Sequence, residues 1–228
     1  MVNKPLHARL IKLHVWARSH ANAIFLSVSA LWVVLLYAHS VCGAFVYDDI
    51  GHIQQNVALS SWRGVMQYFR IGDNFAHDLL PGGGSSYRPF LWLSLSLDRR
   101  LWGLNPCGFH ITNLLFHWIN GALFFILLRR MKVSTWLSAA VCLLWLSLPI
   151  NSEAVAWISG RTYPLMCIFL VLGLLAAQSW LAKGSGLALF LYAAFLFAAL
   201  LSNEEGMLLL PFTLVLAVTF SAASRQLL

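Results

Sequence analysis

Long apolar runs separated by polar connections dominate the hydrophobic pattern of this chain. A helix of about 20 apolar residues crosses the roughly 30 Å hydrocarbon core of a bilayer, so each run predicts a transmembrane span. Outside residues 44–108 the connections are short, and we expect the later helices to be antiparallel neighbours. The pattern predicts an all-α, polytopic integral membrane protein in which residues 1–228 form one domain with six spans, at residues 22–43, 109–128, 133–150, 163–181, 185–201 and 207–222.

The 44–108 connection carries an apolar pattern of its own. The segment SSWRGVMQYFR (60–70) has apolar residues at positions i, i+3, i+4 and i+7, with Ser60 or Ser61 available as an N-cap. This spacing predicts a short amphipathic helix on the membrane surface, with an apolar stripe formed by Trp62, Val65, Met66 and Phe69. The stretch 89–97 is uncharged but too short to span the bilayer, so we expect it to be interfacial or re-entrant.

Composition and charge agree with a membrane protein and orient it. Hydrophobic residues make up 60% of the chain and charged residues 10%, whereas a soluble domain would need a far more polar surface. If the N-terminus is cytoplasmic, the inner segments hold nine basic residues and no acid, and the outer segments hold six basic residues and all eight acids. This bias predicts cytoplasmic termini and an external 44–108 loop. Basic residues on both faces argue against nucleic-acid binding.

Three polar clusters converge on the predicted outer face. They are Tyr47-Asp48-Asp49, the NSEAVAWISGR segment (151–161) with Glu153 and Arg161, and the SNEEG turn (202–206) with Glu204 and Glu205. Acids this close to hydrocarbon are costly unless they are hydrated or paired, and their usual meaning is a functional cavity. The alternative is that each cluster only anchors a helix end in water. Convergence of three clusters favours the cavity.

Polar residues also occur inside the second predicted span. They fall at positions i, i+3, i+7 and i+10, one face of a helix that should look into the bundle: His110, Asn113, His117 and Asn120. This face can form interhelical hydrogen bonds, or His110 and His117 can contribute to a substrate site. Joint metal ligation is disfavoured, since two turns separate the histidines by about 10 Å along the axis.

Arginines on the outer face offer a second polar function. Arg88, Arg99, Arg100 and Arg161 can hold the phosphate of a lipid head group through paired hydrogen bonds, or they can form ion pairs with the neighbouring acids.

Several motifs resemble one group of membrane glycosyltransferases. The stretches FVYDDIGHIQQN, SYRPF, GLNPCGFHITNLLFH, LPINSEAVAWISGRTYPL and LLSNEEG stand in the order seen in transmembrane O-mannosyltransferases that carry tetratricopeptide repeats and in their bacterial relatives. The resemblance covers residues 45–211 and is to the N-terminal half of these GT-C class enzymes. It implies a polytopic enzyme that takes a sugar from a polyprenyl-phosphate carrier on the extracytoplasmic side, in a bacterial inner membrane rather than the endoplasmic reticulum.

The resemblance also implies roles for the external polar residues. Asp48 or Asp49 would act as general base on the acceptor hydroxyl, and Arg88 and Arg161 would stabilise the leaving phosphate. In the same cavity, sugar hydroxyls or a divalent cation (Mg²⁺ or Mn²⁺) would be positioned by Glu153 and Glu204.

The chain departs from the family pattern at several positions. Leu148 and Asn151 stand where histidines are usual, Asn203 stands where a lysine is usual, and the GR pair is followed by Thr162 rather than an acid. The predicted spans are also about half as many as in such transferases. The alternative function is therefore a truncated, non-catalytic subunit that serves as a scaffold for protein partners in a membrane complex. A transporter is disfavoured, since the spans show no inverted repeat.

Overall fold

The computed structural model describes residues 20–41, 43–72 and 86–225, and within these ranges it contains helices and turns and no strand. The all-α prediction is confirmed. The helices are α1 (Ala21–Tyr37), α2 (Trp62–Ile71), α3 (Pro89–Trp102), α4 (Pro106–Arg130), α5 (Thr135–Leu146), α6 (Asn151–Ala156), α7 (Thr162–Lys183), α8 (Gly186–Ser202) and α9 (Leu209–Arg225).

Three helical segments are long and apolar enough to cross a membrane. They are Ala21–Ser40, Pro106–Arg130 and Ser159–Lys183, while α5 and α8 are shorter apolar helices. The polytopic membrane class is confirmed, and the count of six spans stays a prediction. The span predicted at 133–150 is a helix of 12 residues. It ends at Leu146 because Pro149 follows closely, and a proline disfavours helical geometry in the residue before it.

Local sequence signals set the ends of the longest helices. Asn105 caps α4 by accepting a hydrogen bond from the Cys107 backbone N–H (3.1 Å), and Pro106 occupies the first helical position, where its missing N–H costs nothing. α7 ends before Gly184, which adopts a φ of 62°, a left-handed conformation that glycine takes without strain. The predicted segments 109–128 and 163–181 lie within α4 and α7, and their assignment as spans stays a prediction.

Helices α4, α8 and α9 pack around α7. Leucine and valine side chains from α4, α7 and α9 form one apolar cluster at their centre, including Leu127, Leu170 and Leu209. At the turn after α8, a Cβ added to Gly206 would lie 2.5 Å from the Ala199 carbonyl carbon. Only glycine allows the chain to turn this tightly against the end of α8.

The described parts of the first loop, residues 44–72 and 86–108, pack against each other and against the bundle. The loop helices α2 and α3 meet through Tyr68 and Trp92, whose rings stack with centroids 4.3 Å apart. On α2, Val65 and Tyr68 are buried in this contact, whereas Trp62 and Met66 lie on the exposed side. The stripe predicted for a membrane surface is thus divided, because Val65 packs into the core of the loop. Whether the exposed side lies on a membrane stays a prediction.

Candidate active site

Asp49 is buried at the junction of the first loop and α7. Its Oδ1 accepts hydrogen bonds from the Ser159 backbone N–H (2.8 Å) and the Ser159 hydroxyl (2.6 Å), and its Oδ2 accepts one from the Val46 N–H (3.2 Å). Ser159 begins the helical segment that continues into α7, where N–H groups lack partners within the helix. Asp49 therefore caps this segment from 110 residues away.

Tyr47 directs the two neighbouring aspartates to opposite sides. It adopts a φ of 49°, and among the described residues other than glycine only Lys132 shares a positive φ. The resulting turn is closed by a hydrogen bond from the Asp49 N–H to the Val46 carbonyl (3.0 Å). In this geometry Asp49 points into the protein, while Asp48 is exposed.

Asp48 and Glu153 share one cavity. It has a volume of about 730 Å³ and is lined by Val46, Tyr47, Asp48, Ser152, Glu153, Ala156 and Trp157. The cavity brings the turn after α1 together with the short helix α6. Two carboxyl groups, two aromatic rings and a hydroxyl thus face one space that is large enough for a sugar unit.

The polar stripe of α4 faces the bundle, as the sequence predicts. Asn113 Nδ2 donates to the carbonyls of Val155 (3.2 Å) and Trp157 (3.1 Å), and Asn120 Nδ2 donates to the Pro164 carbonyl (2.8 Å). Carbonyls at a helix end or a bend need partners from outside the helix. Asn113 therefore holds the backbone on which the wall of the cavity is built.

The two histidines of the stripe occupy different places. His117 Nε2 lies 3.1 Å from the Leu146 carbonyl at the end of α5. Since a carbonyl only accepts, this nitrogen carries the proton. His110 is buried two helical turns earlier, and a Cβ added to Gly43 would lie 3.2 Å from its Nε2. Neither histidine lines the cavity that holds Asp48.

Arg161 forms a buried ion pair with Asp98. Its Nη1 lies 2.6 Å from Asp98 Oδ2, and both side chains are almost fully buried. Nη2 donates to the Phe109 carbonyl (2.9 Å), and the Thr112 hydroxyl donates to Asp98 Oδ1 (2.8 Å). Burial raises the pKa of the Asp98 carboxyl, and the adjacent guanidinium opposes that rise. In this arrangement Arg161 joins α3, α4 and α7 and does not face the cavity.

Arg88 and Glu204 form an exposed, bidentate pair. Arg88 Nε donates to Glu204 Oε2 (3.0 Å) and Nη2 donates to Oε1 (2.6 Å). These hydrogen bonds lower the pKa of the Glu204 carboxyl below its ordinary value. The pair ties the start of α3 to the turn between α8 and α9. It lies apart from the residues that line the cavity of Asp48.

Curated proteins with similar sequences are protein O-mannosyltransferases. Protein O-mannosyl-transferase TMTC2 of Mus musculus is 31% identical over 151 residues, covering 65% of this chain and 18% of the relative. The chain is homologous to the TMTC protein O-mannosyltransferases. Protein O-mannosyl-transferase Tmtc1 of Drosophila melanogaster is 28% identical to this chain over 187 residues, covering 82% of the chain and 22% of the relative. TMTC4 of Homo sapiens is 28% identical over 163 residues, covering 62% and 21%.

The TMTC-like chain spans about a fifth of the length of the curated relatives it matches. No protein-family model and no solved structure matches it. The resemblance read from the sequence motifs is confirmed by these relatives, and the membrane helices agree with it.

The structure brings together only some of the site residues that the sequence predicts. Asp48 and Glu153 line the same cavity, and Asp49 is buried beside it, where it binds Ser159. Arg88 and Glu204 bind each other, and Arg161 binds Asp98. Within the described ranges, no three His, Cys, Asp or Glu side chains come together to hold a metal ion.

Sequence reasoning missed several residues that shape the site. Trp157 lines the cavity and Ser159 binds Asp49, yet both lie in a segment without helical periodicity. Asp98 pairs with Arg161 from 63 positions away, and no local pattern in the sequence marks that pairing. The signal for Tyr47 was its place beside two aspartates, but its backbone conformation is visible only in the structure.

Proposed function

We propose that this chain carries the acceptor-side catalytic cavity of a membrane glycosyltransferase. The reaction transfers a sugar from a polyprenyl-phosphate carrier to a hydroxyl acceptor on the extracytoplasmic side. The observation that supports it is the cavity shared by Asp48 and Glu153, in a chain whose relatives are named protein O-mannosyl-transferases. The carrier and the acceptor are part of the proposal.

In the proposed mechanism Asp48 is the general base. The acceptor oxygen forms a bond to C1 of the sugar while its proton passes to the Asp48 carboxylate. The bond between C1 and the phosphate oxygen breaks, and the electron pair leaves with the phosphate. Glu153 accepts hydrogen bonds from sugar hydroxyls and fixes the ring for attack.

In the proposed mechanism, Arg88 supplies the positive charge that stabilises the leaving phosphate. Its guanidinium already binds a carboxylate in the fork geometry that a phosphate also accepts. To bind the leaving phosphate, Arg88 must release Glu204 and approach the cavity, from whose lining residues it lies apart. Arg161 keeps its buried place beside Asp98 and acts on the site by holding α3, α4 and α7 together.

Location is also part of the proposal. We place the cavity outside the cytoplasm and both termini inside it, from the charge bias. The terminal residues 1–19 and 226–228 lie outside the described residues. The sequence favours a bacterial inner membrane, but the relatives named above are animal proteins and give this preference no support.

A transfer assay tests the mechanism. The full chain is reconstituted in proteoliposomes with polyprenyl-phosphate mannose and a short serine/threonine peptide, and mannosylated peptide is measured by mass spectrometry. Asp48→Asn is expected to lower transfer by at least about 100-fold, the lower end of general-base effects. Glu205→Gln, an exposed acid outside the cavity, is the matched control and keeps activity. Transfer that survives Asp48→Asn and the Asp48→Asn/Asp49→Asn double change refutes the mechanism.

A scaffold in a membrane complex is the second candidate. It is favoured by the broad apolar faces of α8 and α9, where Phe190, Phe197 and Leu214 are exposed, and by Leu148 and Asn151 in place of the family's histidines. Native mass spectrometry after purification in a gentle detergent tests it. A stable heteromeric complex is the expected result for a scaffold, and a lone, monodisperse chain contradicts it.

A further inference from the structure

The side chain of Tyr47 occupies a position that stability does not explain. Its φ of 49° lies in the left-handed region, which is sterically unfavourable for a bulky aromatic residue. The residue is 85% exposed, so little packing compensates the backbone conformation. Glycine or asparagine would form the same turn at lower cost. A residue in a strained conformation that has no packing role points to a function for its side chain.

The turn around Tyr47 is firmly held by its neighbours. Asp49 N–H donates to the Val46 carbonyl, Ile50 N–H donates to the Tyr47 carbonyl (3.2 Å), and Ser159 binds the Asp49 carboxyl group. The strain is therefore maintained by contacts of the adjoining residues. The backbone of Tyr47 is thus fixed at one wall of the cavity of Asp48, where its side chain is exposed.

The rest of the cavity has the chemistry of a carbohydrate site. Trp157 supplies a second aromatic ring, and Asp48 and Glu153 supply carboxyl groups. The axial C–H face of a pyranose packs on an aromatic ring, while its hydroxyls donate hydrogen bonds to carboxylates. A largely apolar lining with a few convergent polar groups is the usual design of a small-molecule pocket.

We propose that Tyr47 is a sugar-contacting residue. A pyranose ring packs against Tyr47 and Trp157, and its hydroxyls donate to Asp48 and Glu153. This inference rests on the proposed function for the identity of the ligand as a sugar. The pyranose can belong to a lipid-linked donor or to a sugar already attached to an acceptor, and both present the same C–H face and hydroxyls.

Ligand binding to the full chain in detergent tests the inference. Saturation-transfer NMR is run with methyl α-D-mannopyranoside, with polyprenyl-phosphate mannose and with polyprenyl phosphate alone. Tyr47→Gly keeps the positive φ and removes the ring, while Tyr47→Phe keeps the ring. Lys132→Gly is the matched control, because Lys132 has a φ of 63° and lies beyond the opposite end of α4.

We expect Tyr47→Gly to weaken binding of the mannoside about tenfold, the usual scale of one aromatic contact. Tyr47→Phe and Lys132→Gly keep wild-type affinity. Both glycine variants keep or raise the thermal unfolding temperature, since both relieve a strained backbone. Loss of mannoside binding in a Tyr47→Gly protein that remains as stable as wild type is the supporting result. Stronger dependence for polyprenyl-phosphate mannose than for the mannoside assigns the pyranose to the donor, and the reverse assigns it to an acceptor.

Two results overturn the inference. One is unchanged mannoside binding in Tyr47→Gly. The other is a dependence on Tyr47 that is as large for polyprenyl phosphate alone, which would make the ring a lipid contact. The proposed function fails separately: a chain that binds mannoside through Tyr47 but transfers no sugar keeps this inference and loses the enzyme. If Asp48 is required for sugar transfer but Tyr47→Gly binds the mannoside as wild type does, the proposed function stands and this inference fails.

Discussion

Replacement of Asp49 should unfold the protein more readily without acting on the chemistry directly. Asp49→Ala removes the acceptor of the backbone N–H groups of Ser159 and Val46, while the Ser159 hydroxyl retains His52 Nδ1 at 3.3 Å. A buried N–H left without a partner costs about 1–3 kcal/mol, and this applies to the Ser159 N–H, whereas Val46 is exposed and its N–H can turn to water. The expected loss of unfolding free energy is about 2 kcal/mol, which corresponds to a fall of roughly 6 °C in the apparent Tm.

Asp48 provides the matched control for that measurement. Asp48→Ala alters an exposed side chain and is expected to change the unfolding free energy by less than about 0.5 kcal/mol. Asp49→Asn keeps an oxygen for Ser159 but turns an amide N–H₂ toward the Val46 N–H, so its loss should be intermediate. Thermal unfolding in one detergent, followed by intrinsic fluorescence, compares the three variants. Equal Tm values for Asp48→Ala and Asp49→Ala would refute the division of roles between the two aspartates.

Three further outcomes follow from the buried pair, the tight turn and the exposed pair. Arg161→Met leaves Asp98 as an unpaired buried acid and should cost about 3–5 kcal/mol in thermal unfolding, whereas adding Asp98→Leu should recover most of the loss; a double variant no better than the single contradicts this. Gly206→Ala should lower the apparent Tm, while Gly186→Ala, whose new Cβ meets nothing within 4 Å, should not; equal values contradict the close approach. Since the pKa of Glu204 is lowered in the folded state, its pairing contributes stability at neutral pH that is lost as the pH falls through that pKa. The Tm difference between wild type and Glu204→Gln should therefore shrink on acidification, and a flat difference contradicts it.

The spacing of apolar and polar residues predicts most of the helices and the direction in which their faces point. The stripe from His110 to Asn120 was predicted to face the bundle, and Asn113, His117 and Asn120 do so. A helical face needs only the spacing of its residues to be recognised. The partners of the stripe were not predictable in the same way. These partners are backbone carbonyls between residues 146 and 164. Every residue has a carbonyl, so residue types do not reveal which carbonyls lack a partner within their own helix.

Contacts between distant segments account for what the sequence left open. Two adjacent aspartates look equivalent on paper, and the positive φ of Tyr47 decides which one is buried. The sequence leaves Arg161 as a candidate for phosphate binding, because its partner Asp98 lies on another helix and the pairing is visible only in the structure. The amphipathic pattern of α2 was clear, but an apolar stripe does not tell whether it meets lipid or, as for Val65, protein.

The cap that Asp49 places on Ser159 has a consequence for biogenesis. The two residues are 110 positions apart, so the turn that presents Asp48 leaves the ribosome long before its partner. Until the segment that contains α6 and Ser159 reaches the same side of the membrane, the Asp49 carboxyl group lacks its partner Ser159, and the cavity lacks the wall formed by Glu153 and Trp157. Assembly of the cavity is thus a late event in membrane insertion, and a nascent chain stopped before Ser159 should expose the segment around Asp48 and Asp49 to protease.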